Sequence, residues 1–264
     1  MRSPVHILVT LRQPALRPMA ELVFRTLRTG FPTAPVCVWG NGLNHSDAER
    51  AGAVARAAGA TFQNLYPTSH DAWVEGLIAS QAAPFWICDT DMVFLAECEW
   101  FHDSGDGEVL LAGRYEPGWH EPFTKTFHVE RLHTCLQWFN PQPLRGAMQR
   151  WCMDHVPAIF SNIQVPFIRQ HFIPRLGDRP LFYDTTAGLF HCFGGSRFTD
   201  LQNQCFEHLH CGTYGDVVGA VPALQELPAV HAAVVADPGK ARGLQQVQNE
   251  FYRRHARPPR KERK

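Results

Sequence analysis

From His6 to Cys88 the chain repeats one pattern: a short apolar run rich in β-branched or aromatic residues, then a stretch whose apolar residues recur three and four apart. His6 to Leu11 is followed by Ala15 to Arg28, where Leu16, Met19, Ala20, Val23, Phe24 and Leu27 fall at helical spacing. Gly30, with Pro32 close behind, ends that helix. Pro35 to Trp39 predicts a second strand, broken by Gly40-Asn41-Gly42. Ser46 with Glu49 three residues on reads as a capping box, opening an alanine-rich helix that Gly59 stops after Ala58. Thr61 to Leu65 predicts a third strand, Asp71 to Ala82 a third helix with Trp73, Leu77 and Ile78 on its apolar side, and Phe85 to Cys88 a fourth strand. Strands separated by helices predict right-handed βαβ units, hence an α/β fold with a mainly parallel central sheet covered on both faces. In such sheets ligands bind beyond the carboxyl ends of the strands.

The fourth strand runs directly into Asp89-Thr90-Asp91, and another apolar run, Met92 to Leu95, follows. Two carboxylates leaving a buried strand are costly to desolvate unless a cation or hydrogen bonds compensate them. On a continuing strand, residues i and i+2 share a face, so both carboxylates could reach one divalent metal holding a diphosphate. A turn in which Asp91 caps whatever follows is the other reading of the same three residues. No Gly-X-Gly-X-X-Gly follows the first strand and no Gly-Lys-Ser/Thr occurs, which disfavours dinucleotide oxidoreductases and P-loop enzymes. A phosphate ligand at this edge would depend on a metal instead of a glycine loop.

Charge and cysteine usage narrow the class further. With 25 basic and 25 acidic residues the formal balance is zero, so nothing draws the chain generally to nucleic acid. The eight cysteines are scattered, several within apolar strand-like runs, and read as reduced thiols. The apolar stretch Val5 to Leu11 is too short for a signal peptide and no later run could span a bilayer, which predicts a cytoplasmic protein. Residues 253–264 form a basic, proline-containing tail that reads as disordered, with peripheral contact to an anionic membrane surface as the alternative.

The second half is less regular. Gly105-Asp106-Gly107 is a turn and Val109 to Tyr115 a strand; Glu116 to Pro122 reads as a loop centred on Trp119 and His120. His128 to Phe139 is amphipathic and ends at Asn140-Pro141-Gln142-Pro143; Leu144 to Asp154 looks helical and Ile159 to Phe172 is apolar without a clear type. Thr185 to Phe193 reads as a β-like run reaching His191, with Gly194-Gly195-Ser196-Arg197 next. A histidine entering a glycine turn, with a cation beyond, suits an oxyanion ligand, and a buried histidine before an ordinary turn fits as well. Cys205, His208, His210, Cys211 and Asp216 make another cluster, in which a helix would put Cys205 and His208 on one face. It lacks the paired cysteine spacing of structural zinc sites, but His208 or His210 is an alternate metal ligand or catalytic residue. Val217 to Val235 is partly helical and Leu244 to Tyr252 predicts a last helix.

Asp89-Thr90-Asp91 and His191-Cys192-Phe193-Gly194-Gly195-Ser196-Arg197-Phe198 together resemble the GT-A class of nucleotide-sugar glycosyltransferases, whose Asp-X-Asp motif binds a manganese or magnesium ion bridging the donor diphosphate. The second stretch is similar to the His-Phe-X-Gly-X-X-Lys-Pro-Trp element of the glycogenin-like and bacterial galactosyltransferase-like branch, with Arg197 in place of lysine and Phe198 in place of proline. The resemblance implies a GT-A-like, Rossmann-type single domain over 1–252, with a nucleotide-sugar-binding half at about 1–115 and a smaller acceptor half at about 116–252. It implies Asp89, Asp91 and His191 as ligands of Mn2+ or Mg2+, with Asp89, Thr90, Gly194 and Arg197 at the donor. A histidine ligand favours manganese. The implied reaction moves a sugar from a nucleotide-diphosphate sugar to a hydroxyl of a glycan, lipid or protein. The general base of an inverting enzyme stays open among Glu116, His120, Glu121 and Asp184. A metal-dependent nucleotidyltransferase or phosphohydrolase, or a catalytically silent nucleotide-sugar-binding protein, are the other readings.

Overall fold

The computed structural model describes residues 2–10, 17–101, 109–120, 127–154, 181–182, 184–209, 232–234 and 236–242. β1 (Val5–Val9) is buried at every position, as a strand covered on both faces must be. It pairs in parallel with β2 (Val36–Asn41) and with β4 (Phe85–Cys88), and β2 pairs in parallel with β3 (Thr61–Leu65). α1 (Arg17–Gly30), α2 (His45–Ala57) and α3 (His70–Ser80) connect them in alternation, which is the βαβ arrangement expected. β5 (Met92–Phe94) leaves this sheet.

The central sheet continues past β4. β9 (Arg131–Phe139) runs antiparallel to β4 and to β6 (Leu111–Glu116), and β11 (Ser196–Arg197) closes the edge parallel to β6. The order β11-β6-β9-β4-β1-β2-β3 makes a seven-stranded, mostly parallel sheet in which β9 alone is reversed. Side-chain alternation along β1 splits the core: Val5, Ile7 and Val9 face Val23 and Leu27 of α1, while Leu8 faces Val74 and Leu77 of α3. A second sheet pairs β7 (Trp119–His120), β8 (Phe127–His128) and β10 (Leu181–Phe182), and a third pairs β5 with β12 (Phe206–His208).

Several local expectations are corrected. Asn44, not Ser46, caps α2: its extended backbone (φ −64, ψ 168) precedes the first helical residue and its side chain accepts the Asp47 N–H, leaving Ser46 inside the first turn. His128 to Phe139 is not an amphipathic surface element; β9 is buried at all nine positions because it pairs on both sides. Pro141 and Pro143 do not merely stop β9. They lie in the first turn of α4 (Pro141–Asp154), where a missing N–H costs nothing. The β-like run at Thr185 to Phe193 is instead α5 (Ala187–Phe193); after Thr186 it has no β-branched residue, and Thr186 enters the helix with φ 67. α6 (Asp200–Asn203) carries a Thr199–Gln202 capping box, and the helix expected to hold Cys205 and His208 is strand β12.

Gly105 to Gly107, Glu121, Ile159 to Phe172, His210, Cys211, Asp216, Leu244 to Tyr252 and the 253–264 tail lie outside the described residues, as does most of Val217 to Val235. Among the described residues no helix is long and apolar enough to cross a membrane.

Candidate metal and donor site

Asp89, Thr90 and Asp91 form the turn between β4 and β5 and are not a continuing strand, so the shared-face argument for the two carboxylates does not apply. The turn is fixed from both sides. The Asp89 N–H donates to the Cys135 carbonyl at 3.0 Å, and the Asp91 carbonyl accepts the Leu209 N–H at 2.8 Å. Thr90 is buried between them. Asp89 Oδ2 accepts the Thr134 hydroxyl at 3.4 Å, and Oδ1 lies 3.9 Å from His70 Nε2.

The histidine that joins this turn is His208. β12 pairs antiparallel with β5 so that His208 stands opposite Met92, the residue after Asp91, and its Nε2 lies 3.1 Å from Asp91 Oδ1. Asp89, Asp91 and His208 each offer one ligand atom within 4.8 Å of the others. The side chains of Asp91 and His208 are 7% exposed and that of Asp89 25%, so the group opens to solvent on the Asp89 side. Burial pushes the Asp89 carboxyl above its ordinary range, with the neighbouring Asp91 charge adding and His70 opposing. Burial alone would lower His208, but the charge and hydrogen bond of Asp91, with Asp89 behind it, hold it above the usual histidine value. The turn therefore brings two carboxylates together where burial disfavours their charge and a nearby positive group favours it.

β9 supplies the opposite wall through a bulge. Gln137 pairs with Gly113 of β6 and Leu132 with Tyr115, so the single residue Arg114 faces four residues of β9. Bulges of this kind take side chains out of the ladder and re-aim them. His133, Thr134 and Cys135 lie in it. The His133 ring sits edge-on to His208 with centroids 4.7 Å apart. Its Nδ1 accepts the Cys135 N–H at 3.0 Å, and its Nε2 lies 3.9 Å from Glu116 Oε2. Burial pushes the Cys135 thiol up to about 12. Arg131, at the start of β9, hydrogen-bonds Glu116 Oε2 through Nε at 2.8 Å and pairs with Asp184 Oδ2 through Nη1 at 2.6 Å. Burial opposes its charge, but Asp184 and Glu116 hold the guanidinium firmly protonated.

Of the residues singled out in the sequence, Asp89 and Asp91 come together with the alternate His208, and Glu116 and Asp184 are joined through Arg131. His191 is not in the carboxylate group: it sits on α5 with Nε2 2.9 Å from the Glu130 carbonyl. Burial lowers its pKa. Gly194 takes φ 68 at the end of α5, and Arg197 lies on the edge strand β11 with its guanidinium 3.5 Å from the centroid of the Tyr115 ring. Strands β6 and β9 separate β11 from β4, because the glycine turn leads into the sheet edge and not toward the carboxylates. His120 lies on β7, and Glu121 and His210 are outside the described residues. His70, Arg131, His133, Thr134 and Cys135 were not singled out for this site; the last three depend on a bulge that leaves no local sequence period.

No protein-family model matches the chain, and no curated protein is similar to it in sequence. Its fold is similar to those of solved glycosyltransferases. GlyE of Streptococcus pneumoniae TIGR4 superposes with a TM-score of 0.47 at 10% identity, covering 100% of this chain and 66% of that one. The galactosyltransferase LgtC, solved with donor and acceptor sugar analogs, gives 0.40 at 12% identity over 86% of this chain and 95% of that one. The mannosyltransferase PcManGT from Pyrobaculum calidifontis, in complex with GDP-Man and Mn2+, gives 0.38 at 14% identity over 96% and 82%. At 66%, the chain spans just under two thirds of the length of GlyE.

Proposed function

We propose that this chain is a GT-A-type glycosyltransferase that uses a divalent cation to hold a nucleotide-diphosphate sugar and moves the sugar to an acceptor hydroxyl. The observation that carries the reading is the convergence of Asp89, Asp91 and His208 just past the carboxyl end of β4, where the parallel strands of the sheet place ligands. Two carboxylates and an imidazole fit Mn2+ well, and Mg2+ less well because of the nitrogen. A cation bound there supplies positive charge to a departing diphosphate. The chain's own residues set the geometry. The Asp91–His208 pair is buried and fixed by the β5–β12 pairing, whereas Asp89, held by the Thr134 hydroxyl, faces the open side from which a donor would approach.

Glu116 and Asp184 divide between them the roles left open in the sequence. Arg131 binds both, and Asp184 is the more exposed, 35% against 23% for Glu116. Asp184 is therefore the carboxylate assigned to the acceptor hydroxyl, oriented by Arg131 and by the Thr185 N–H on its Oδ1 at 2.8 Å, while Glu116 anchors Arg131 from behind. His120 is the second candidate base. Gly194 and Arg197 take no part in this proposal, since Arg197 is stacked on Tyr115 at the sheet edge.

Calorimetric titration of uridine and guanosine diphosphates with and without Mn2+ tests the reading. Metal-enhanced binding of one of them, lost in Asp91→Ala, is expected; binding of neither under any metal condition overturns it. Metal-dependent cleavage of a nucleotide sugar with only water as acceptor would point to a phosphohydrolase instead.

A further inference from the structure

His208 belongs to a second group that the proposed reaction does not use. His133, Cys135 and His208, all buried, each offer one ligand atom within 4.8 Å of the others. Two different long-range features assemble it: the β9 bulge carries His133 and Cys135, and the β5–β12 pairing carries His208. Its donors differ in kind from the carboxylate group. Two imidazoles and a thiolate suit zinc and cobalt in tetrahedral geometry, whereas magnesium and manganese prefer oxygen. The surroundings also suit a metal ligand. His133 Nδ1 accepts the Cys135 N–H and Nε2 lies 3.9 Å from the Glu116 carboxylate, so ligation through Nδ1 exchanges that one hydrogen bond for the metal and leaves the Nε2–H directed at Glu116. A carboxylate behind a metal-binding histidine is the usual outer-shell arrangement.

We propose that His133, Cys135 and His208 form a metal site for a zinc-class ion, and that it competes with the Asp89–Asp91–His208 group for His208, so that zinc displaces manganese and silences the enzyme. The site itself stands apart from the proposed function; the competition rests on it. As the metal–sulfur bond forms, the Cys135 thiol releases its proton to solvent. His208 belongs to both groups, and two divalent ions so close in a buried site repel each other, so one excludes the other.

The metal-free chain titrated with Co2+ should develop a sulfur-to-cobalt charge-transfer band together with visible bands of tetrahedral intensity, and Zn2+ should abolish both. Cys135→Ser and Cys135→Ala should each lose the charge-transfer band and weaken zinc binding more than about a hundredfold, beyond what loss of a mere outer-shell partner commonly costs. Circular dichroism shows whether either variant has failed to fold, and the measurements on the unsubstituted chain decide the matter if both have. Mn2+ binding, followed by electron paramagnetic resonance, should persist in both variants, and in the unsubstituted chain one equivalent of Zn2+ should release Mn2+ to solution. No charge-transfer band in the unsubstituted chain, or a band that survives in folded Cys135→Ser, overturns the site. Mn2+ retained beside bound zinc overturns the competition. A chain that gives the Cys135-dependent band but never binds Mn2+ refutes the proposed function and leaves the zinc-class site standing.

Discussion

Glu99 shows how much of the fold's tolerance to acid is invested in single buried groups. Its Oε1 accepts the N–H groups of Thr33 and Ala34, both at 2.9 Å, and its Oε2 accepts the Thr33 hydroxyl at 2.8 Å and meets Arg2 Nε at 3.2 Å. Burial would raise its pKa, but those hydrogen bonds and the Arg2 charge lower it overall. A carboxyl depressed in the fold contributes stability at neutral pH that is lost as pH falls through the folded value. Glu99→Gln should therefore cost about 1–3 kcal/mol at pH 7, and the gap to the unsubstituted chain should narrow as pH falls through the acid range; urea melts at pH 7 and at successively lower pH measure it. His6 works in the same direction by another route. It is buried on β1, its Nδ1 accepts the Trp39 indole N–H at 3.1 Å, and burial lowers its pKa to about 4. Between its ordinary value and 4 the unfolded chain takes up the proton and the folded one does not, so stability falls as pH falls through that window. The stability advantage of the native chain over His6→Phe should shrink by about 2 kcal/mol between pH 7 and pH 4.5. An advantage that stays constant across that range would show that His6 takes up its proton in the fold as readily as in the unfolded chain.

Elements differ sharply in how far the sequence foretells them, and the division is physical. β1 to β4 and α1 to α3 were legible because each is long enough for its own apolar period to decide its type, and their alternation alone places Asp89 and Asp91 at the ligand edge of the sheet. β12 has three residues and exists as the partner of β5, so nothing local distinguishes it from a helix end, whereas His191 has the glycine turn and Arg197 directly after it to recommend it. α5 was misread as a strand because its entry depends on a distant side chain. Thr186 holds φ 67, a strained conformation for a β-branched residue, and its hydroxyl accepts the Gln137 Nε2–H at 2.9 Å. The same amide donates to the Leu132 carbonyl at 2.6 Å, across the β9 bulge. Gln137→Leu should thus loosen bulge and helix entry together, at about 2 kcal/mol or more. Hydrogen exchange over 187–193 should rise more than over β1; equal protection in both would mean that Thr186 is held by something other than Gln137.

For the whole molecule, the proposed cation site acts as a clasp as well as a cofactor site. Asp91 and His208 are 117 residues apart in sequence, and the first closes the parallel part of the sheet while the second arrives on a strand of a different sheet. That separation is why two of the three proposed ligands could be read from a single stretch while the third, His208, stood only as an alternate: the pairing that brings it is set by the tertiary fold. It also means that an ion bound across the pair exists only when both regions are folded and docked, so its binding energy adds to global stability and not to a local loop. Mn2+ at about a hundred times its dissociation constant should stabilise the chain by about 2.7 kcal/mol, equivalent to about 5 °C in the melting temperature of a chain of this size. Asp91→Ala should remove that shift altogether. Asp89→Asn, which keeps Asp91 and His208 but loses the ligand on the solvent side, should reduce it. A calorimetric melt in which Mn2+ moves all three proteins equally would mean that the ion binds elsewhere, and the clasp would have to be abandoned along with the metal assignment.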